Sequence, residues 1–170
     1  MITHETPVGT LTLAASDLGL TRVGYGRPRR PAARPSPTAR GWLDMARREL
    51  DAYFDGRLRT FTVPVDLCRA VPSHLPVLHA LAGVAYGDTT TYGILAAAVG
   101  LVDDGPRQVG VAMARNPVAI VLPCHRVVGA GGKLIGYGGG LAAKRLLLDL
   151  ESHDRSPQLG LAIDLPGAPA

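Results

Sequence analysis

The sequence predicts a mixed α/β (α+β) protein made of two unlike halves: a small N-terminal unit of β-sheet and helix, then a helix-rich unit carrying a helix-turn-helix. Three observations predict this. Short β-suited stretches flank a glycine turn within the first 23 residues, an apolar stripe at helical spacing runs from Trp42 to Phe54, and from Pro76 onward short helical segments alternate with glycine-rich turns. At 170 residues, with 46% hydrophobic residues, the chain is long enough for one ordinary domain or two small ones with a real core.

In the first half, Gly9-Thr10-Leu11-Thr12-Leu13-Ala14-Ala15 and Leu20-Thr21-Arg22-Val23, joined through Asp17-Leu18-Gly19, read as a β-hairpin. From Arg27 to Arg40, arginines alternate with Pro28, Pro31, Pro35 and Pro37, a composition that predicts an extended surface loop. Trp42, Ala46, Leu50, Tyr53 and Phe54 then mark a helix that ends at Asp55-Gly56. Phe61 to Leu67 reads as one more strand, confined to a sheet edge by Pro64. The boundary falls at 68–71, dividing residues 1–70 from 71–156. Residues 157–170 are expected to form a poorly ordered tail.

In the second half, Pro76 opens a helix through Leu81. Thr89-Thr90-Thr91 offers caps for a helix from Tyr92 to Val99, stopped by Gly100. A second helix runs from Pro106 to Arg115 and must end at Asn116-Pro117. These two helices form the helix-turn-helix candidate. Ala119-Ile120-Val121-Leu122 reads as a buried strand leading into Pro123-Cys124, and a last helix spans Leu141 to about Ser152. On that helix Glu151 shares a face with Leu147 and Leu148, as a surface carboxylate or as one held inward by a partner such as a histidine.

Composition excludes several classes. No apolar run approaches the ~20 residues of a membrane span. Two cysteines, Cys68 and Cys124, are too few for a disulfide framework or a cysteine-rich zinc site, so no metal or cofactor is expected. The N-terminus lacks a basic-then-apolar segment, and a cytoplasmic, reducing setting suits a free thiol. A net charge of +4 is only weak support for a nucleic-acid partner, because much of it lies in the Pro/Arg stretch.

The chemistry concentrates at Leu122-Pro123-Cys124-His125-Arg126-Val127-Val128, ahead of Gly136-Tyr137-Gly138-Gly139-Gly140. A thiol reacts as thiolate, and a neighbouring base or positive charge favours that form. Cys124 beside His125 therefore reads either as a nucleophile with its base, expected to be ionised, or as an ordinary buried cysteine. Cys68, without basic neighbours, reads as a packing residue.

Set beside Ala85-Tyr86-Gly87-Asp88-Thr89, Thr91-Tyr92-Gly93, Arg107-Gln108-Val109-Gly110, Arg115-Asn116-Pro117, Lys144 through Glu151, Thr6-Pro7-Val8-Gly9 and Tyr53-Phe54-Asp55-Gly56, this motif resembles the O6-alkylguanine-DNA alkyltransferase family. These proteins are also called methylated-DNA–protein-cysteine methyltransferases, and the likeness covers nearly the whole chain. It implies a ribonuclease-H-like first domain and a winged-helix-like second one. It also implies repair of duplex DNA containing alkylated bases, by one irreversible transfer per molecule from guanine O6, or thymine O4, to Cys124. His125 would be the base, acting through a water because side chains alternate on an extended backbone, with Glu151 orienting it. Tyr92 would protonate the departing guanine, and Asn116 would shape the turn beside the cysteine. Tyr137, Gly138, Gly139 and Val127 would line the base pocket. Thr89, Tyr92, Arg107, Gln108 and Gly110 would face DNA, Arg107 filling the space of a flipped nucleotide. A monomer is implied, with cooperative binding on DNA as an option.

The sequence departs from the family pattern in three places. Aromatic anchors are missing from Val71 to Leu78, the segment Val102-Asp103-Asp104-Gly105-Pro106 is longer and more acidic, and Gln108 replaces the usual alanine. Two other readings stay open on the residues themselves: a protein that recognises the lesion without repairing it, and a cysteine hydrolase built on Cys124 and His125. Lys144 reads as structural or exposed.

Overall fold

Three antiparallel strands, β1 (Ile2–Thr6), β2 (Gly9–Ala15) and β3 (Leu20–Tyr25), form the N-terminal sheet in the order β1-β2-β3. The computed structural model describes residues 1–28 and 33–153; Arg29, Arg30 and the expected tail at 157–170 lie outside the described residues. The predicted hairpin is β2–β3, closed by the Ser16 N–H donating to the Gly19 carbonyl at 2.9 Å. Gly19 sits at φ +152°, and a Cβ there would run into the Pro64 carbonyl. Strand β1 had no clear sequence signal because its one buried side chain is a histidine, His4, paired with Asp51.

Helix α1 (Pro37–Phe54) packs on this sheet and buries Ala39, Leu43, Ala46, Leu50 and Tyr53. It starts earlier than expected. The Ser36 hydroxyl accepts from the Ala39 N–H and Pro37 takes the first helical position, so residues 37–40 of the predicted loop are helical. The buried stripe runs through Leu43, while Trp42 lies at the margin with its indole N–H on the Asp17 carbonyl. The strand expected at Phe61–Leu67 shrinks to one bridge, Leu20 to Val65. Its ladder cannot extend, because Pro64 has no N–H and the Glu49 carboxylate takes those of Thr62 and Val63.

The second half comprises α2 (Leu75–Ala82), β4 (Thr90–Thr91), α3 (Tyr92–Ala98), α4 (Gly105–Ala114), β5 (Val127–Val128) and α5 (Gly140–His153). Thr91 caps α3, its hydroxyl accepting from the Ile94 N–H, and β4 pairs in parallel with β5. The expected strand at 119–122 is a tight turn instead. Ile120 has φ 72° and the Leu122 N–H returns to the Val118 carbonyl. The cause is Asn116, whose side chain donates to the Leu122 carbonyl and accepts from the Val118 N–H, drawing both ends together.

Val118 also bridges to Val23, with the Val23 N–H on the Pro117 carbonyl and the Ala119 N–H on the Val23 carbonyl. The reactive segment is thereby fastened to the N-terminal sheet. Below this junction one apolar core runs through both halves, from Leu11, Leu13 and Leu50 to Leu78, Val109, Val127 and Leu147. Among the described residues no helix is long and apolar enough to cross a membrane.

Candidate active site

Cys124, His125 and Arg126 occupy a single 3-10 turn, not an extended strand. Alternation along a strand therefore does not explain how their side chains separate. A 3-10 turn places successive residues about 120° apart. Cys124 lines a cavity of about 850 Å³, while His125 and Arg126 turn toward α5 and bond to Glu151.

Glu151 takes the inward alternative. It is buried on α5 below Ala143 and Leu147, and five donors converge on it. Oε1 accepts from Tyr53 Oη (2.7 Å), His125 Nε2 (2.8 Å) and Arg126 Nη2 (2.8 Å); Oε2 accepts from Arg126 Nε (2.9 Å) and the Gly87 N–H (3.2 Å). Burial alone would raise its pKa, but the bonds from His125 and Arg126 outweigh that and hold it down at about 2. A permanent carboxylate on Nε2 fixes the proton there and leaves Nδ1 with its lone pair. Nδ1 is buried and has no hydrogen-bond partner among the described residues. Burial also lowers the imidazole pKa, against the pull of Glu151. At neutral pH the ring is a neutral base with its free nitrogen available.

The thiol corrects an expectation. Burial pushes the Cys124 pKa up, and the opposing influences of the Asn116 amide, the Lys144 charge and nearby backbone N–H groups do not overcome it. Cys124 rests as a thiol, so ionisation belongs to the reaction and needs a base. Lys144 is itself fully buried, its Nζ donating to the carbonyls of Val127 (2.7 Å) and Ile135 (2.9 Å). Its structural role is to pin the strand after the cysteine to the loop before Tyr137.

Across the cavity stand Tyr92 and Tyr137. Tyr92 is half-buried, its hydroxyl reaching the Ile135 carbonyl only at 3.4 Å, and burial together with Cys124 raises its pKa. It stays protonated and its bond is readily exchanged. Tyr137, Gly138, Arg107 and Gly110 also line the cavity. Other expected residues do not. Val127 is sealed in the core, and Gly139 faces the ring of Tyr25. Gln108 is exposed on α4 and does not line the cavity, and Thr89 borders a separate hollow near Ser152. Cys68 is exposed, so it is not the packing residue expected. Arg107 is 81% exposed at the cavity rim and its closest acid is Asp104, at 3.4 Å. A further hollow, of about 750 Å³, lies between the halves and is lined by Arg22, Arg34, Arg69 and Arg115 but no thiol.

A cysteine thiol on the wall of a cavity of about 850 Å³, with a neutral imidazole and a buried carboxylate behind it, is thus carried on a two-part α/β chain. Residues 72–153 match the model of the 6-O-methylguanine DNA methyltransferase DNA-binding domain, and residues 2–67 match the ribonuclease-like domain of the same family. The chain belongs to the 6-O-methylguanine DNA methyltransferase family. It is 42% identical over 155 residues to the methylated-DNA–protein-cysteine methyltransferase of Mycobacterium leprae, covering 88% of this chain and 90% of that one. To the Mycobacterium tuberculosis protein of the same name it is 42% identical over 159 residues, covering 91% and 93%. The crystal structure of the Mycobacterium tuberculosis O6-methylguanine methyltransferase superposes with a TM-score of 0.79, at 41% identity over 92% of this chain and 94% of that chain. A structure of the Mycobacterium tuberculosis protein in complex with DNA gives 0.76, at 42% identity over 89% and 92%.

In this member of the 6-O-methylguanine DNA methyltransferase family, the site uses residues that motif reading passed over. Tyr53 was visible only as a helix-core aromatic opening the Tyr53-Phe54-Asp55-Gly56 motif, and Arg126 only as part of the cysteine motif. Tyr25 belonged to no motif. Tyr53 meets Glu151 across 98 residues of chain and Tyr25 meets Tyr137 across 112, separations that no local pattern encodes. A polar tip on an aromatic in each half was the sole hint.

Proposed function

We propose that this chain repairs O6-methylguanine in DNA by transferring the alkyl group irreversibly to Sγ of Cys124, once per molecule. The observation that carries the reading is the Cys124 thiol on the cavity wall, with the neutral, unpartnered Nδ1 of His125 oriented by Glu151. The thiol proton passes through a bridging water to Nδ1. Sulfur attacks the alkyl carbon, an S–C bond forms, the C–O6 bond breaks, and its electron pair leaves on guanine. The Tyr92 hydroxyl gives the guanine a proton and is recharged from the imidazolium or solvent. Asn116 acts as a positioning residue through its hold on the 118–122 turn. A thioether has no leaving route, so the protein is consumed.

The target atom is shielded within a duplex, so the nucleotide is flipped into the cavity between Tyr92 and Tyr137. Arg107 stands in the gap it leaves, approached through the minor groove, and Gly110 allows close approach of α4. Gln108 and Thr89, outside the cavity, serve at most as backbone contacts. The chain divides into domains 1–70 and 71–156, a reading supported by the separate family matches at 2–67 and 72–153. Double-stranded DNA with alkylated bases is the partner, the protein acts as a monomer in a reducing cytoplasm, and larger alkyl groups or thymine O4 are further substrates. Incubation with methylated duplex followed by peptide mass analysis tests this: a methyl gain on the Cys124 peptide is expected. Binding without modification would favour a damage sensor, and repeated turnover of an ester would favour a hydrolase.

A further inference from the structure

Gly136, Tyr137 and Gly138 of the glycine-rich segment 136–140 line the cavity, and the one backbone bond described within the segment is the Gly140 N–H to the Tyr137 carbonyl at 2.9 Å. Gly136 (φ +29°) and Gly140 (φ +85°) adopt conformations that suit glycine, and each glycine adds entropy to be lost on ordering. A side chain from the other half of the molecule touches this segment. Tyr25, the last residue of β3, donates its hydroxyl to Tyr137 Oη at 2.8 Å, and the two rings meet edge to face with centroids 5.5 Å apart. Its ring also occupies the space beside Gly139, where an added Cβ would come within 2.5 Å of Cζ.

Tyr25 is itself anchored. Its backbone pairs with Leu11 on β2, the following Gly26 N–H donates to the Thr10 carbonyl at 2.8 Å, and the Thr12 hydroxyl holds the Gly26 carbonyl at 2.5 Å. The contact is a rigid strand end pressing on a pliant loop.

We infer that Tyr25 is a positioning and specificity-determining residue of the alkyl-transfer site: it sets the width of the cavity by holding Tyr137 and Gly139 from the N-terminal sheet. This rests on the reading of Cys124 as alkyl acceptor. A methyl group leaves little of the cavity filled and depends on the wall to position the base against sulfur. A benzyl group fills more of the cavity and tolerates a wall that has moved outward. Loosening the wall therefore slows methyl transfer more than benzyl transfer. Conversely, a side chain at Gly139 is harmful only because the Tyr25 ring is there.

The test measures single-turnover rates by mass gain on the Cys124 peptide, using duplex DNA containing O6-methylguanine or O6-benzylguanine. Tyr25→Phe keeps the ring and loses one neutral hydrogen bond, so methyl transfer should fall about three- to tenfold. Tyr25→Ala should lower methyl transfer by up to about a hundredfold, the scale of an ångström-level misplacement, and raise the benzyl-to-methyl rate ratio. Gly139→Ala should impair the native protein and be rescued in the Tyr25→Ala background. A native protein that gains no mass on Cys124 overturns the alkyltransferase reading itself. With native transfer intact, an unchanged benzyl-to-methyl ratio in Tyr25→Phe and Tyr25→Ala, or a Gly139→Ala defect that Tyr25→Ala does not relieve, overturns the role of Tyr25 alone. Should Tyr25→Ala fail to fold by circular dichroism, the Tyr25→Phe ratio decides.

Discussion

The surroundings of Glu151 and the rim of the Cys124 cavity are built on opposite terms. Around Glu151 five donors engage the carboxylate, the partners come from α1, the 3-10 turn and the backbone at Gly87, and the side chain is buried. At the rim, Tyr92 has a long bond, Arg107 is almost fully exposed, and the apolar side chains of Ile94, Val102 and Val111 project outward on the helix-turn-helix. A saturated polar cluster holds one geometry. An under-partnered rim keeps its groups available for an incoming ligand. On the proposed function, the first region handles protons and the second binds DNA and base, with Cys124 between them.

The largest effect should come from cutting at that junction. Cys124→Ala should abolish alkyl transfer and leave duplex binding near native in a gel-shift titration; residual transfer would refute the nucleophile. Breaking the saturated region comes next. Glu151→Gln leaves the buried Arg126 guanidinium without its counter-charge and should cost about 3–5 kcal/mol in urea unfolding.

The rim should respond in the opposite manner. Arg107→Ala should leave thermal stability unchanged, yet slow repair in duplex about tenfold or more while sparing transfer from the free alkylated base, because it removes only the filler of the flipped-out gap. Equal losses on both substrates would remove that role. The smallest effects lie in the pH profile. A lowered His125 pKa and a raised Cys124 pKa make the pair of neutral base and protonated thiol the reacting form, so transfer should be flat from their ordinary values of 6.5 to 9.0. A rate climbing tenfold per pH unit would mean that free thiolate reacts without the base. On the acid side, stability should respond through Glu151. The folded pKa of Glu151, about 2, lies below its ordinary 4.5, so its contribution is complete above about pH 4.5 and drains away as pH falls toward 2.

Much of this was legible in the sequence wherever the signal was local. The β2–β3 hairpin, α3 with its Thr91 cap, and the stop at Asn116-Pro117 each follow from a few adjacent residues. The expected strands at 61–67 and 119–122 failed because side chains far along the chain or just outside the segment, Glu49 and Asn116, claim backbone groups that a ladder would need. The same divide holds in the site. Cys124, His125 and Glu151 stood out by type and spacing, whereas the ionisation of the thiol depended on burial, and Val127 and Gly139 on which wall each faces. Tyr25 and Tyr53 meet their partners only through the packing of one half on the other.

The outer side of β3 carries one more implication. Leu20 and Val23 give their N–H groups to the carbonyls of Pro64 and Pro117, and neither proline has an N–H to offer in return. The next N–H groups along, those of Asp66 and Ala119, donate back to the Leu20 and Val23 carbonyls, so two short segments from elsewhere in the chain cover this edge of the sheet. An edge already occupied in this way offers no free run of backbone groups for strand addition on the side where the halves are joined.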